Sequence, residues 1–180
     1  MTKNKRILLN ILRFGLPTLL TVLWLCFIFG NSLQTGVESG AASGRVHRLV
    51  NALPELLGLG SPISERFVRK AAHFTEFAFL GLLICSDLWA FYAVSLNKKL
   101  RFSIPILLCS VPICAAFASV DEFLQSFVDG RGPSVTDVLI DTSGALTATI
   151  LFIAFFVFIL YIQNKYLRNN TIDKREVLNI

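Results

Sequence analysis

Four long apolar segments constrain this chain more than any other feature of its sequence. They lie roughly at residues 14–30, 66–96, 102–128 and 134–163, and a helix of about 17–25 apolar residues can span a bilayer. Hydrophobic residues make up 54% of the 180 positions, which leaves too little polar surface for a soluble domain of this size. The sequence therefore predicts an all-α polytopic membrane protein with four transmembrane helices.

The segment between the first two apolar stretches, residues 31–65, is polar and rich in glycine and serine. Apolar residues at positions 46, 49, 50, 53, 56 and 57 follow helical spacing within it. Gly58 and Gly60 then end the pattern and Pro62 follows, which is typical of a helix stop. We predict a short interfacial helix in this first outer loop, lying on the membrane surface or on the bundle.

Three regions follow from these segments: a basic N-terminus (1–13), a four-helix membrane domain (14–163) and a mixed-charge tail (164–180). The first apolar stretch could belong to a cleavable signal peptide, but it is longer than a signal core of about 7–15 residues. We favour a transmembrane helix beginning near residue 7, with Pro17 in the first turn of its apolar part. Pro105 and Pro112 should kink or interrupt the third span, the basic segment 97–101 should form a short turn, and the 129–133 segment should form a tight turn.

Two further features concern the ends and faces of the predicted spans. Ser64 is a candidate N-cap for the second span. On the fourth span, positions i, i+4, i+7 and i+11 carry Asp137, Asp141, Gly144 and Ala148, which gives one helix face of carboxylates and small residues. Small residues let membrane helices approach closely.

Several features exclude other functions or suggest none. No block of basic residues is interleaved with aromatic residues, so nucleic-acid binding is not expected. The four cysteines lie inside apolar runs without a Cys-x-x-Cys pair, and we interpret them as small buried hydrophobic residues. Asp87 lies well inside the second span, where a lone carboxylate indicates a function by default. Because it has no partner nearby in sequence, a neutral aspartate or one reached by water is an equal alternative.

The basic residues are distributed unequally between the two sides of the predicted bundle. Four spans place both termini on one side. Of the 17 lysines and arginines, 11 lie there, at positions 3, 5, 6, 13, 98, 99, 101, 165, 168, 174 and 175. The positive-inside rule then predicts cytoplasmic termini for a multi-pass protein of the cell membrane.

Polar side chains at the ends of three predicted spans meet at the outer face in this topology. Arg69, His73 and Glu76 follow the spacing i, i+4, i+7, so they share one face of a helix. Such residues at a membrane helix end are anchors or a site, and their alignment favours a site. We predict an outward-facing ligand-binding pocket, and its candidate residues are Arg69, Lys70, His73, Glu76, Asp121, Glu122, Gln125, Arg131, Asp137 and Asp141.

The same residues give the chain a resemblance to the VanZ-like membrane protein family over roughly residues 15–160. The matching stretches are residues 68–77, 121–127, 130–131 and 137–145, together with Asn31 and Ser32. Phe77 stands where the family often has tyrosine, and Asp141 where it usually has asparagine. The resemblance implies a bacterial polytopic protein with a cell-envelope role, in a family named for a protein linked to teicoplanin resistance. Its implied partners are the lipid bilayer and, as candidate ligands, a glycopeptide antibiotic or a lipid-linked wall precursor.

Three kinds of chemistry are open to this polar set. His73, Glu76, Asp121 and Glu122 are candidates for general acid–base catalysis on a lipid-linked or phosphorylated substrate. The same side-chain types bind metals, but Arg69 and Lys70 compete for the acids, so no metal or other cofactor is predicted. Alternatively, the polar pairs only lock helix ends together, each contact contributing about 0.6–2 kcal/mol.

Overall fold

The computed structural model of the chain describes residues 3–58, 63–95 and 103–178, and these residues form six helices and no strand. The predicted basic turn at residues 97–101 lies outside this part of the chain. The helices are α1 (Lys3–Ser32), α2 (Gly36–Leu56), α3 (Glu65–Ser95), α4 (Ile104–Leu108), α5 (Ser110–Gln125) and α6 (Val135–Leu178). Four segments are long and apolar enough to cross a membrane: Gly15–Ser32, Glu65–Tyr92, Ile104–Gln125 and Val135–Tyr166. The predicted all-α polytopic membrane fold with four spans is confirmed.

Two helices extend further than the sequence pattern predicted. The first begins at Lys3 and not near residue 7, and Pro17 lies in its interior. The last continues to Leu178, past the predicted end at residue 163, because no glycine or proline after Gly144 stops it. Apolar patterning marks the part of a helix that contacts lipid or protein, and it therefore misses polar extensions at either end.

The third span is divided by its second proline, as predicted. Pro112 has no amide hydrogen to donate to the carbonyl of residue 108, four positions earlier. The helix breaks there, between the end of α4 at Leu108 and the start of α5 at Ser110. The Cys109 amide donates instead to the carbonyl of Ile106 over 3.2 Å, a tighter bond that spans three residues.

The long helix α3 lies at the centre of the bundle and contacts every other helix. It packs most closely on α6, where a Cβ atom added to Gly144 would lie 2.2 Å from the backbone oxygen of Phe74. Ala145 and Ala148 on the same helix are buried, and small residues of this kind let membrane helices approach closely. The predicted stripe of small residues on the fourth span therefore forms the main helix interface.

Only two of the four cysteines are buried, in part contrary to the sequence interpretation. Cys85 and Cys114 are buried, whereas Cys26 and Cys109 are exposed on the surface of the bundle. An apolar run does not reveal which of its residues face lipid, so the sequence could not separate the two pairs. All four are free thiols.

The helix in the first loop is longer than the predicted one, because a capping box starts it ten residues earlier. The Thr35 amide and hydroxyl each donate to Glu38 Oε2 at 2.9 Å, and the Glu38 amide donates back to the Thr35 hydroxyl at 3.3 Å. These bonds lower the pKa of the Glu38 carboxyl, chiefly through the Thr35 amide. Gly58 follows the helix with φ of 65°, which confirms the predicted stop.

The start of α2 is also tied to the turn between α5 and α6. The Gly36 amide donates to the Asp129 carbonyl at 3.1 Å. A Cβ atom at Gly36 would lie only 2.8 Å from the Gly130 oxygen, so the two backbones touch. Further along α2, Val37, Leu49 and Leu56 are each more than three-quarters exposed, as expected for a helix with one face toward lipid.

One buried amide on α2 is bonded to the backbone of a residue just before α3. Asn51 Nδ2 donates to the Ile63 carbonyl at 3.0 Å, and Asn51 Oδ1 accepts from the Ile63 amide at 2.8 Å. The Asn51 side chain is buried, whereas Ile63 is partly exposed. The two hydrogen bonds connect α2 to the start of α3, where Ser64 Oγ accepts from the Phe67 amide as the predicted N-cap.

Replacing Asn51 with alanine should destabilise the protein by about 1–3 kcal/mol, since it leaves two backbone groups of Ile63 unpaired. The measurement is thermal or denaturant unfolding of the detergent-solubilised protein, with hydrogen exchange at Ile63 as a local readout. Glu55→Ala, at an exposed position of the same helix, is the control and should change stability by less than about 0.5 kcal/mol. Equal effects of the two variants would contradict the role of the Asn51 amide.

Candidate functional site

Four helix ends carry the polar residues to one end of the bundle, called the polar end below. Helices α1 and α5 finish there, at Ser32 and Gln125, while α3 and α6 begin there. Successive spans run in opposite directions, so groups far apart in sequence come together at this end. All ten predicted site residues lie at the polar end, as the predicted topology requires.

A buried carboxylate, Asp121, links two of these helices. Its Oδ1 accepts from the Ser32 hydroxyl of α1, and its Oδ2 accepts from Gln125 Nε2 at 2.8 Å. The Asp121 side chain has no exposed surface. Arg131 Nη1 donates to the Ser32 carbonyl at 3.3 Å, so the turn after α5 is attached to the same point of α1.

Two other acidic candidates, Glu122 and Asp137, make contacts that hold helix ends in place. Glu122 Oε2 accepts from the Ser134 amide at 2.7 Å, which holds the turn that leads into α6. Asp137 Oδ1 pairs with Lys70 Nζ at 2.7 Å and so joins α6 to α3. Both contacts resemble the helix-end locking considered from the sequence, and each uses one oxygen of its carboxylate.

Glu76 and its helix are held from the side of α1. Asn31 Nδ2 donates to Glu76 Oε1 over a long 3.4 Å, and Trp24 Nε1 donates to the backbone carbonyl of Glu76 at 2.9 Å. The Trp24 bond fixes the position of α3 along the axis of α1. The weak Asn31 contact leaves most of the half-buried Glu76 carboxylate available.

His73 and Asp141 face each other with unusually few hydrogen bonds. The distance from His73 Nδ1 to Asp141 Oδ1 is 3.9 Å, beyond a normal hydrogen bond. Asp141 has no exposed surface, and His73 Nδ1 and both Asp141 oxygens are buried without a hydrogen-bond partner. Buried polar atoms are nearly always paired, so these three atoms are exceptional within the structure.

Two small cavities open at the polar end, and His73 lines both of them. The α2–α3 cavity has a volume of about 210 Å³ and lies under α2, with Arg69, Glu76 and Arg131 among its lining residues. The α3–α6 cavity has a volume of about 120 Å³ and reaches Asp141, with Arg69 and Arg131 again in its walls. The two arginines and His73 therefore separate one cavity from the other.

The arginines of these cavities lack acidic partners at contact distance. Neither Arg69 nor Arg131 makes an ion pair within the described part of the chain. Burial and the neighbouring Arg69 guanidinium lower the pKa of Arg131, while the carboxylates of Asp121, Glu122 and Glu76 act in the opposite direction. Two guanidinium groups therefore line each cavity, and such groups donate charge-assisted hydrogen bonds to anions.

The structure adds residues to the site and removes one from consideration. Asn31, Gln34 and Ser39 line the α2–α3 cavity, and only Asn31 was singled out in the sequence, through its motif. Asp87 has partners after all, since it accepts from Thr18 at 2.9 Å and from Thr21 at 2.7 Å. It lies 14 positions from His73 on α3, about 21 Å along the helix, so it belongs to another region.

Comparison with known proteins identifies a family for this arrangement. A family model described as VanZ/LLP1 matches residues 18–160, which include every residue of the two cavities. A search of curated proteins found no match, and a search of solved structures also found none.

Proposed function

The chain belongs to the VanZ/LLP1 family, and we propose that it acts in the cell envelope by binding the anionic headgroup of a lipid-linked wall precursor. The observation that carries this proposal is the pair of arginines, Arg69 and Arg131, which line both cavities without an ion-pair partner. A phosphate or carboxylate between two guanidinium groups accepts charge-assisted hydrogen bonds from each. The unequal charge of the loops supports an outward-facing site.

The size of the cavities supports a headgroup and not a whole ligand. Their volumes, about 210 and 120 Å³, are below the roughly 300–1,000 Å³ of pockets that enclose a small molecule. A pyrophosphate fits such a space while the rest of a large amphiphile remains in the membrane and outside it. Altered susceptibility to teicoplanin is the cellular effect that we expect from binding this precursor.

A second function, catalysis on the same class of substrate, is favoured by the position of two titratable groups. His73 and Glu76 line the α2–α3 cavity beside Arg69, which is where a general acid or base would need to be. If the protein is an enzyme, Glu76→Gln should abolish turnover of a polyprenyl pyrophosphate and leave its binding intact. A variant that loses binding and turnover together would favour simple recognition.

Removing the arginine charge should weaken ligand binding by about 10- to 100-fold, since a charge-assisted hydrogen bond contributes about 1.5–3 kcal/mol. The measurement is binding of a polyprenyl pyrophosphate, with the neutral polyprenol as a second probe, to wild type and Arg69→Ala in detergent. Arg66→Ala is the matched control, because Arg66 lies on the same helix but outside both cavities. In a bacterial host, only Arg69→Ala should cancel the change in teicoplanin susceptibility.

Equal affinity for the polyprenol and the pyrophosphate would contradict the proposal, as would equal binding by Arg69→Ala and wild type. Arg69 is exposed, so its replacement should leave the fold unchanged. Circular dichroism and gel filtration of each variant check this.

A further inference from the structure

We propose that His73, Asp121 and Asp141 bind a divalent first-row metal ion at the polar end of the bundle. The potential ligand atoms of the three side chains all lie within 4.8 Å of one another. They come from α3, α5 and α6, so an ion there would join three helices. No metal was predicted from the sequence, because Arg69 and Lys70 were expected to pair with the acids, and Asp141 was not included among the possible ligands.

The burial of Asp141 is the observation that points to a ligand. Its carboxylate has no exposed surface, and neither oxygen accepts a hydrogen bond. Its strongest charged neighbours are other carboxylates, led by Asp121 and Glu122. An ionised carboxylate in such a place is costly unless a cation is bound to it. Among the described residues, the basic side chain nearest to it is His73, at 3.9 Å and outside hydrogen-bond distance.

The geometry of the three groups suits a single ion after small side-chain movements. Ligand atoms about 2.0–2.2 Å from a shared metal lie roughly 3–4 Å from one another. Asp121 can bind an ion without losing its contacts, since each carboxylate oxygen has two lone pairs and its hydrogen bonds use one of each. The donors Ser32 and Gln125 would then orient the Asp121 carboxylate, as hydrogen bonds to metal ligands do in known metal sites.

The chemistry of the donors selects the class of metal. Two carboxylates and one neutral imidazole carry a charge of about −2, which a divalent cation balances. An imidazole nitrogen beside carboxylate oxygens suits zinc, manganese or ferrous iron better than calcium or magnesium. His73 and Asp141 both line the α3–α6 cavity, which gives the ion a route of entry and leaves space for a further ligand.

This proposal goes beyond the proposed function, because metal binding needs no lipid and is measured without one. The full chain is purified in detergent, freed of any polyhistidine tag and stripped with EDTA. Zn²⁺ and Mn²⁺ are then titrated by calorimetry, and bound metal is counted by elemental analysis. We expect one equivalent per chain, with Co²⁺ giving the visible absorption bands of a site that contains nitrogen and oxygen donors.

Asp141→Asn keeps the size of the side chain and should weaken metal binding by at least about tenfold. Asp87→Asn is the matched control: it changes a second intramembrane carboxylate, bound by Thr18 and Thr21 far from the cluster, and should bind metal like wild type. His73→Gln provides a second test at a position that is partly exposed and should tolerate the change.

The melting temperature is an independent readout, because the difference between wild type and Asp141→Asn should depend on whether metal is present. In EDTA, Asp141→Asn should melt at the same temperature as wild type or higher, because it replaces a buried carboxyl group whose oxygens have no hydrogen-bond partner. With added Zn²⁺ or Mn²⁺, wild type should be stabilised and Asp141→Asn should not. Failure of wild type to bind a stoichiometric ion overturns the proposal, and so does unchanged affinity in both Asp141→Asn and His73→Gln.

Discussion

Replacing Gly144 with alanine should destabilise the bundle by about 3 kcal/mol, although it adds only one methyl group. The new Cβ atom would lie 2.2 Å from the Phe74 backbone oxygen and 3.2 Å from the Ala78 nitrogen. These are backbone atoms of α3, so no side chain can rotate to make space. Helices α3 and α6 would have to move apart at their closest interface, and the packing contacts around Gly144 would be lost.

The stability of Gly144→Ala is measured by thermal unfolding in one detergent, against Gly30→Ala as the control. Gly30 also lies in a membrane-spanning helix, and a Cβ atom there meets nothing within 4 Å. Alanine is the better helix former by about 0.8–1.0 kcal/mol, so the control should be neutral or slightly stabilised. If the two variants change stability alike, the close contact between α3 and α6 does not exist.

Replacing Asp121 with alanine should cost about 3 kcal/mol in the presence of EDTA, the second large effect that we expect. The change removes the acceptor of the Ser32 hydroxyl and of the Gln125 amide, and both donors remain buried. Hydrogen bonds to a charged group contribute about 1.5–3 kcal/mol each, and unpaired buried donors add a penalty. EDTA ensures that the measured loss belongs to the hydrogen bonds and not to a bound ion.

Asp87→Ala provides the comparison for Asp121→Ala, because it removes the same side chain from an equal number of donors. Asp87 accepts from the Thr18 and Thr21 hydroxyls but is only half-buried. Partial exposure lets water replace the lost contacts, so we expect a cost of about 1 kcal/mol. A cost for Asp121→Ala no greater than that for Asp87→Ala would show that burial does not strengthen the Asp121 network.

Features that depend on direction and periodicity could be predicted from the sequence. Successive spans run in opposite directions, so the ends of the first and third spans lie on the same side as the starts of the second and fourth. For this reason Arg69, Asp121 and Asp137 were predicted to lie together. The spacing of Asp137, Asp141, Gly144 and Ala148 likewise identified a helix face of carboxylates and small residues. Helical period and chain direction follow from backbone geometry alone, so no knowledge of packing was needed.

Features that depend on side-chain partners could not be predicted. Ser32 meets Asp121 across 89 positions of sequence, and nothing local to either residue reveals the other. The contacts of Asp87 with Thr18 and Thr21 span 69 and 66 positions, so no local signal reveals them either. The early start of α2 is different, because the Thr35–Glu38 capping box is a local signal present in the sequence and could have been recognised.

The backbone contact between Gly36 and Gly130 sets the size of the α2–α3 cavity, whereas the side chains that line the cavity set its chemistry. Main-chain atoms set the spacing of α2 from the turn that carries Arg131, and no side chain takes part in that contact. Substitutions at Ser39, Ala42 or Ser43, which line the cavity from α2, would therefore change the chemistry of the cavity wall while the size of the cavity stays the same. A few residues of one helix can therefore change the surface of this cavity without changing its dimensions.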